Sequence, residues 1–356
     1  MIKVLLVDDS PLAIAILKRM LSKSTGIEVV GTAANGKEAL KLIPQIKPDV
    51  ICTDLHMPVM GGLELTKEIM ATFPLPILVV SVSGREGSIN AFKAIEAGAV
   101  DIFLKPSGGA DVDQDKLAAD LIMKIRILST VLVFRKNRFD ITSETVSSSV
   151  TSETEMIPSI NSVRILVIGA STGGPKALET ILDSLPGNFP LPVICIQHIS
   201  EGFLQGLIDW LSLKCRMKIE IAETGTIPRA GTVYFPPEDK QLKIDGSGKF
   251  IITSDPLSDG HRPSITVTMK SAAGFFKNSV LGVLLTGMGK DGAEGLLSIK
   301  KGGGITIAQN EESCIVYGMP KQAIEIGAAV YIVPLNEIGP MILNYTMHNS
   351  KLKILK

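Results

Sequence analysis

The chain has 356 residues, 45% of them hydrophobic, and its 36 Lys and Arg balance 36 Asp and Glu to a formal net charge of zero. That length favours two domains over one, and the charge balance excludes the basic footprint of a nucleic-acid or anionic-membrane binder. No apolar run approaches the roughly 20 residues of a membrane span, and Met1-Ile2-Lys3 leads straight into a short strand instead of a signal peptide. A cytoplasmic protein without membrane insertion is expected.

From the N-terminus, strands are predicted at Val4–Val7, Ile27–Ala33, Val50–Thr53, Ile77–Val80 and Asp101–Leu104. Helical spacing marks Leu12–Leu21, Lys37–Ile43, Leu63–Thr72, Ser88–Ala97 and Lys116–Ile127. Five βα units imply a parallel, doubly wound sheet with its function at the carboxyl ends of the strands. Polar residues fall at those ends: Asp8 and Asp9 after the first strand, Asp54 after the third, Ser81 after the fourth and Lys105 after the fifth. Three carboxylates converging on one edge repel one another unless a hard cation such as Mg²⁺ sits among them. Such a metal neutralises phosphoryl oxygens while one carboxylate attacks. Each residue alone reads as a solvated loop charge; five at successive strand ends do not.

Residues 1 to about 125 resemble the receiver domain of two-component response regulators. The resemblance is carried by Val7-Asp8-Asp9-Ser10, Asp54-Leu55-His56-Met57-Pro58, Gly98-Ala99 and Phe103-Leu104-Lys105-Pro106. It implies that Asp54 accepts a phosphoryl group, that Asp8, Asp9 and Asp54 hold Mg²⁺, and that Ser81 and Lys105 sense the phosphate. One departure stands out. Where the family has Asp-Gly after Met-Pro, this chain has Gly61-Gly62, which loses a loop carboxylate but no metal ligand.

The apolar stretch Leu117–Phe134 reads as a last receiver helix running into a linker. Thr142 to Ser162 is dominated by Ser, Thr and Glu, the composition of an exposed connection. A second α/β pattern follows, with strands at Arg164–Gly169, Pro192–Gln197, Lys218–Ala222, Thr232–Phe235, Phe250–Thr253, Val280–Thr286 and Gly304–Ala308. Its helices are predicted at Pro175–Ser184, Leu204–Leu213, Ile265–Phe276, Ala293–Lys300 and Lys321–Ile326. Gln241–Ile244 and Phe250–Ile252 flank Asp245-Gly246-Ser247-Gly248, a hairpin signal.

The stretch Ile165–Ile168 is an unbroken apolar run that stops at Gly169-Ala170-Ser171-Thr172-Gly173-Gly174-Pro175. Ser171 therefore sits on a strand-to-helix turn, where helix-terminal amides favour a developing negative charge. The layout is that of a nucleophile elbow, yet it does not match Gly-x-Ser-x-Gly, and an ordinary phosphate-binding or structural βα turn fits this stretch as well. Two other strand ends deliver a polar side chain to the same edge. The strand ending in Gln197 is followed by His198, and Gly287-Met288-Gly289-Lys290-Asp291-Gly292 follows the strand from Val280. A serine needs a base, and the base needs an orienting carboxylate. Of the four histidines, His56 lies in the receiver motif and His348 near the C-terminus, leaving His261 as the competitor of His198. The bland readings are a hydrogen-bonded structural His198 and an Asp291 that caps the helix following it. Cys52, Cys195, Cys215 and Cys314 show no CxxC or metal spacing and read as reduced thiols.

From about Val163 to 335 the chain resembles the catalytic domain of the chemotaxis protein-glutamate methylesterases, the CheB family. The matching pieces are Gly169 to Pro175, Gln197-His198, His261-Arg262-Pro263-Ser264, Leu285 to Ala293 and Tyr317-Gly318-Met319-Pro320. The family joins a receiver to this domain, so the resemblance covers nearly the whole chain. It implies two doubly wound, mainly parallel α/β domains, the second larger and carrying a small antiparallel hairpin. The expected division is receiver 1–125, linker 126–161 and catalytic domain 162–350. Ser171 is implied as nucleophile, His198 as base, Asp291 as orienting acid, the Met288 amide as oxyanion donor and Thr172 as support. The implied reaction is phosphorylation-regulated hydrolysis of glutamate γ-methyl esters on chemoreceptor cytoplasmic helices, with deamidation of receptor glutamines. A chemotaxis histidine kinase is the implied phosphodonor, with no cofactor in the esterase site. The rivals are a receiver driving a non-enzymatic binding output and a hydrolase of small esters.

Overall fold

In a computed structural model the described residues are 1–82, 85–106, 114–131 and 163–351, with side chains described for all but 85, 86 and 347–351. The expected linker Thr142–Ser162 and the end of the expected helix Leu117–Phe134 lie outside them. The first domain runs β1 (Ile2–Val7), α1 (Pro11–Leu21), β2 (Ile27–Ala33), α2 (Gly36–Ile46), β3 (Val50–Thr53), α3 (Gly62–Thr72), β4 (Ile77–Ser81), α4 (Arg85–Ala97), β5 (Asp101–Leu104) and α5 (Gln114–Leu128). Its first two helices begin where short polar side chains satisfy free amides. Ser10 accepts from the Ala13 amide with Pro11 in the first turn, and Asn35 accepts from Glu38 while Glu38 reaches back to Ala34. The five strands are parallel in the order β2-β1-β3-β4-β5.

The second domain contains β6 (Ile165–Ala170), α6 (Gly174–Ser184), β7 (Val193–Gln197), α7 (Leu204–Ser212), β8 (Lys218–Ile221), β9 (Thr232–Phe235), β10 (Gln241–Ile244), β11 (Phe250–Thr253), α8 (Ile265–Phe276), β12 (Val280–Leu284), α9 (Ala293–Lys301), β13 (Ile305–Gln309), α10 (Met319–Glu325), β14 (Tyr331–Val333) and α11 (Leu335–Lys351). Seven strands form a parallel sheet in the order β14-β13-β12-β6-β7-β9-β8, and β10 and β11 form the antiparallel pair. The chain leaves β6 toward β7 on one side and later returns to β12 on the other. β6 is therefore the switch point, where a crevice opens beyond the carboxyl ends. Buried on both faces, β6, β7 and β12 read as continuous apolar runs for that reason.

Two elements were not expected. β14 is a three-residue edge strand, and α11, which includes His348, contains Pro340. Among the described residues no helix is long and apolar enough to cross a membrane. Cys52, Cys195 and Cys215 are buried and all four thiols are free; burial pushes Cys52 up to about 12.

The two domains touch along α4 and α7. The Phe92 and Trp210 rings stack with centroids 5.6 Å apart, Ser88 Oγ donates to the Gly202 carbonyl at 3.1 Å, and Lys214 pairs with Glu96 at 3.0 Å. One cluster of buried apolar side chains runs through both.

The Gly61-Gly62 departure has a steric basis. A Cβ on Gly62 would stand 2.0 Å from the Asp54 carbonyl oxygen, and one on Gly61 would stand 2.7 Å from that of Leu55. Both obstacles are backbone, so the loop after Asp54 must move to admit a side chain. Gly62→Ala is expected to destabilise the receiver by about 1–3 kcal/mol, seen as a thermal midpoint lowered by several degrees; an unchanged midpoint would refute this reading.

Candidate active site

In the second domain the order β7-β6-β12 sets three chain segments side by side. Ser171 follows β6, His198 follows β7 and Asp291 closes the loop after β12. Backbone hydrogen bonds fix the crossing points. The Ser171 amide donates to the Thr286 carbonyl at 3.0 Å, and the His198 amide to Ala170 at 3.0 Å. Beneath them, the Thr286 hydroxyl donates to the Thr172 carbonyl at 3.0 Å and accepts from Val316, while Gln309 Oε1 accepts from the Thr286 amide.

Asp291 is almost fully buried and surrounded by donors. Its Oδ1 accepts from Ser264 Oγ at 2.8 Å and from the Thr266 and Gly292 amides at 2.9 Å. Its Oδ2 accepts from the Ile265 amide at 2.8 Å and lies 2.9 Å from His198 Nε2. Burial opposes its charge, but the His198 hydrogen bond and charge, with Thr266, outweigh burial and hold the carboxyl well below the usual range. The capping role foreseen for Asp291 takes a different form. It sits at the N-terminus of α8, whose own cap is Ser264, while α9 has Gly292 at its N-cap and no side-chain cap. Ser264 stands in the quoted His261-Arg262-Pro263-Ser264 piece, and its place before an apolar helix was the available signal.

An ionised Asp291 can only accept, so the proton of His198 resides on Nε2. Nδ1 is then the lone-pair nitrogen; it is buried and makes no hydrogen bond. His261 does not pair with Asp291. Its ring lies flat on His198, centroids 3.7 Å apart and planes 10° apart. Burial first, and then His198, lower its pKa to about 4, against the opposing pull of Asp291 and Asp259. His261 is accordingly neutral at pH 7. His198 and His261 line a cavity of about 180 Å³ with Ser171, Thr172 and Met288. Among the described residues, the Thr172, Gly173 and Met288 amides donate to no protein acceptor, so they are free to meet an oxyanion.

Ile199 and Ser200 also line the cavity, and the other wall comes from the first domain: Asp120, Met123, Lys124 and Ile127 of α5. Asp101, the first residue of β5, accepts from Thr172 Oγ1 at 3.1 Å and from Lys124 Nζ at 2.8 Å. Lys124 is buried, which works against its charge, yet Asp101 and Asp120 more than offset that and raise its pKa. Nothing local in the sequence announces Asp101, whose partner Thr172 lies 71 residues along the chain, or Lys124, which is tied to this seam through Asp101.

At the carboxyl edge of the first sheet, atoms of Asp8, Asp9 and Asp54 lie within 4.8 Å of one another. Lys105 Nζ reaches Asp54 Oδ2 at 2.6 Å and Asp8 Oδ2 at 2.7 Å. Burial works against its charge, but both carboxylates raise its pKa above the ordinary value. Asp8 is buried, and its Oδ2 has the Lys105 ammonium as its charged neighbour. Three carboxylates whose oxygens lie this close together make a donor set that fits a hard divalent cation. Ser81 is brought to the neighbouring strand end, but its hydroxyl turns to the Val82 carbonyl at 3.5 Å and not to Asp54.

The CheB methylesterase family matches residues 166–342, and the response regulator receiver domain matches residues 4–115. A protein-glutamate methylesterase/protein-glutamine glutaminase of Nitrosospira multiformis is 38% identical over 358 residues, 99% of each chain. One from Carboxydothermus hydrogenoformans is 41% identical over 342 residues, 95% of this chain and 97% of its own. The crystal structure of the Thermotoga maritima CheB methylesterase catalytic domain superposes with a TM-score of 0.50 at 38% identity, covering 52% of this chain and 99% of that one.

The carboxylate cluster generates a metal prediction. Asp9 is exposed and outside the Lys105 ion pairs, so Asp9→Asn is expected to weaken Mg²⁺ binding at least tenfold while leaving the melting temperature within a degree or two. Calorimetric titration checks this, and unchanged affinity would remove Asp9 from the ligand set.

Proposed function

The chain belongs to the CheB methylesterase family in its receiver-linked form, and on that premise we propose how its second domain works: Ser171 is the nucleophile, His198 the base and Asp291 the group that orients it. The reaction is hydrolysis of glutamate γ-methyl esters on chemoreceptors, which releases methanol and restores glutamate, together with deamidation of receptor glutamines. The observation that carries the assignment is the 2.9 Å contact of His198 Nε2 with a carboxylate that stays ionised.

With Nε2 committed to Asp291, Nδ1 of His198 takes the Ser171 proton as Oγ attacks the ester carbonyl. Asp291 then stabilises the imidazolium without accepting its proton. The unspent amides of Thr172, Gly173 and Met288 bind the developing oxyanion, each such donor being worth on the order of 3 kcal/mol. The imidazolium returns the proton to the departing methanol, or to ammonia when the substrate is an amide. Water, activated by the same nitrogen, releases the glutamate and regenerates Ser171. A neutral His261 stacked on His198 keeps a second positive charge away from the imidazolium.

The receiver regulates this site. Asp8, Asp9 and Asp54 would hold Mg²⁺, which would supply positive charge for the oxygens of an incoming phosphoryl group, and Asp54 carries the attacking oxygen. A phosphoryl group there competes for Lys105, which now holds Asp54 and Asp8 together. The catalytic cavity is walled by α5, Thr172 is hydrogen-bonded to Asp101, and α4 is stacked on α7. A receptor helix cannot reach Ser171 past those elements. Phosphorylation changes which state of the α4–α5 face is favoured, so the resting enzyme is occluded and the phosphorylated one open. A chemotaxis histidine kinase is the phosphodonor this reading assigns.

Methanol release from methylated receptor tests the triad. Ser171→Ala and His198→Ala are each expected to abolish turnover with the fold intact, and the double variant to be hardly worse than either. Losses that multiply would show that the residues do not act as a unit. For regulation, residues 150–356 alone are expected to exceed the rate of the unphosphorylated full chain, and Asp54→Asn to prevent activation by a small phosphodonor without altering the resting rate. A truncated domain no faster than the resting protein would sink occlusion.

A further inference from the structure

The side chains of Ser171 and His198 share no hydrogen bond among the described residues, so their spacing is set by backbone. One buried side chain ties those two stretches of backbone together. Gln197 ends β7, and its Nε2 donates to the Ser171 carbonyl at 2.9 Å and to the His198 carbonyl at 2.8 Å. An amide nitrogen has two protons, and both are spent here. Turning the amide over would set its oxygen against two carbonyl oxygens, so this orientation is fixed by its partners.

The other end of the amide shows what the arrangement costs. Gln197 Oε1 is buried and has no hydrogen-bond partner. It faces Gly174, where a Cβ would lie 2.1 Å from it, so the turn that carries Ser171 leaves space for the amide but offers it no donor. A buried acceptor left bare is unfavourable, and a methionine of similar volume would avoid that penalty. A residue that only filled space would not need to be a glutamine.

We propose that Gln197 is a positioning residue for the reaction: its two N–H groups clamp the nucleophile turn to the base-bearing turn and hold Ser171 Oγ within reach of the His198 lone pair. The remaining backbone ties do not duplicate it. The Ser171 amide is held from the β12 side by Thr286, and the His198 amide by Ala170, one residue before the nucleophile. Gln197 alone, among the described side chains, bonds to both residues.

The proposal rests on the assignment of Ser171 and His198, and the experiment separates the two. The full chain is compared with Gln197→Met, which keeps volume and removes both donors, and with Gln197→Glu, which keeps shape but turns lone pairs toward the two carbonyls. Each preparation is normalised by the fraction of folded protein, and the rate of Ser171 modification by a fluorophosphonate is measured beside kcat and KM for methylated receptor. Misplacement of reacting groups by about 1 Å costs on the order of 100-fold. Both variants are therefore expected to lose about 10- to 100-fold in kcat and in modification rate, with KM within about threefold of the parent. Per folded molecule, a purely structural glutamine would lower the melting temperature and leave kcat unchanged, and that result in either variant overturns the proposal. His198→Ala serves as the control. If it keeps its modification rate, the base assignment fails; if it loses the rate while both Gln197 variants keep theirs, only the clamp fails.

Discussion

The parallel pairing of β6 with β7 on one side and β12 on the other is the contact on which the catalytic chemistry hangs. Each strand is buried on both faces and has no polar side chain of its own to spare until it ends. The pairing therefore brings three chain segments, distant in sequence, to one edge at the spacing of neighbouring strands. That sheet spacing is coarse, and the finer adjustment comes from hydrogen bonds around it: Thr286 and Gln197 on the nucleophile turn, and the first turn of α8 on Asp291. The helix amides anchor the carboxylate in place and, behind the larger effect of His198, help to keep it ionised.

The receiver applies the same physics to a different end. There the strand ends supply carboxylates, and the cation at hand is Lys105, whose two ion pairs draw β1, β3 and β5 together at the phosphorylation edge. The face that covers the esterase site is built from α4, β5 and α5. Lys105 follows β5 at one end and Asp101 opens it at the other, so a single four-residue strand connects the phosphate-sensing edge with the residue that holds Thr172. Under the proposed regulation, coupling between the sites runs along packed secondary structure and needs no long-range electrostatics.

Much of this was legible in the sequence because both domains follow one rule. Apolar runs mark buried parallel strands, and the polar residue that ends a run lies at the working edge. That rule picks out Asp8, Asp54, Lys105, Ser171 and His198 from their position alone, and Asp291 through the glycine-rich loop that precedes it. It misses β14, which is too short and too exposed for periodicity to register, and α11, where Pro340 and Gly339 interrupt the helical pattern. The bland alternative for Asp291, a cap on the helix that follows, gives way to another, since the helix whose first amides it accepts from precedes it in the chain. The contacts of Asp101 and Lys124 with the catalytic domain left no local trace at all. Their meaning depends on how the two domains face each other, and a hydrogen bond across that seam follows no spacing rule.

The α4–α7 seam carries one more consequence. Trp210 is the single tryptophan of the chain, and it is buried against Phe92 where the two domains meet. Indole emission depends on the polarity around the ring, so the protein contains its own optical gauge of domain separation. No introduced dye is needed, and the rest of the chain contributes no competing indole signal. Under the proposed regulation, the time course of opening can thus be followed on the unmodified enzyme, independently of any substrate.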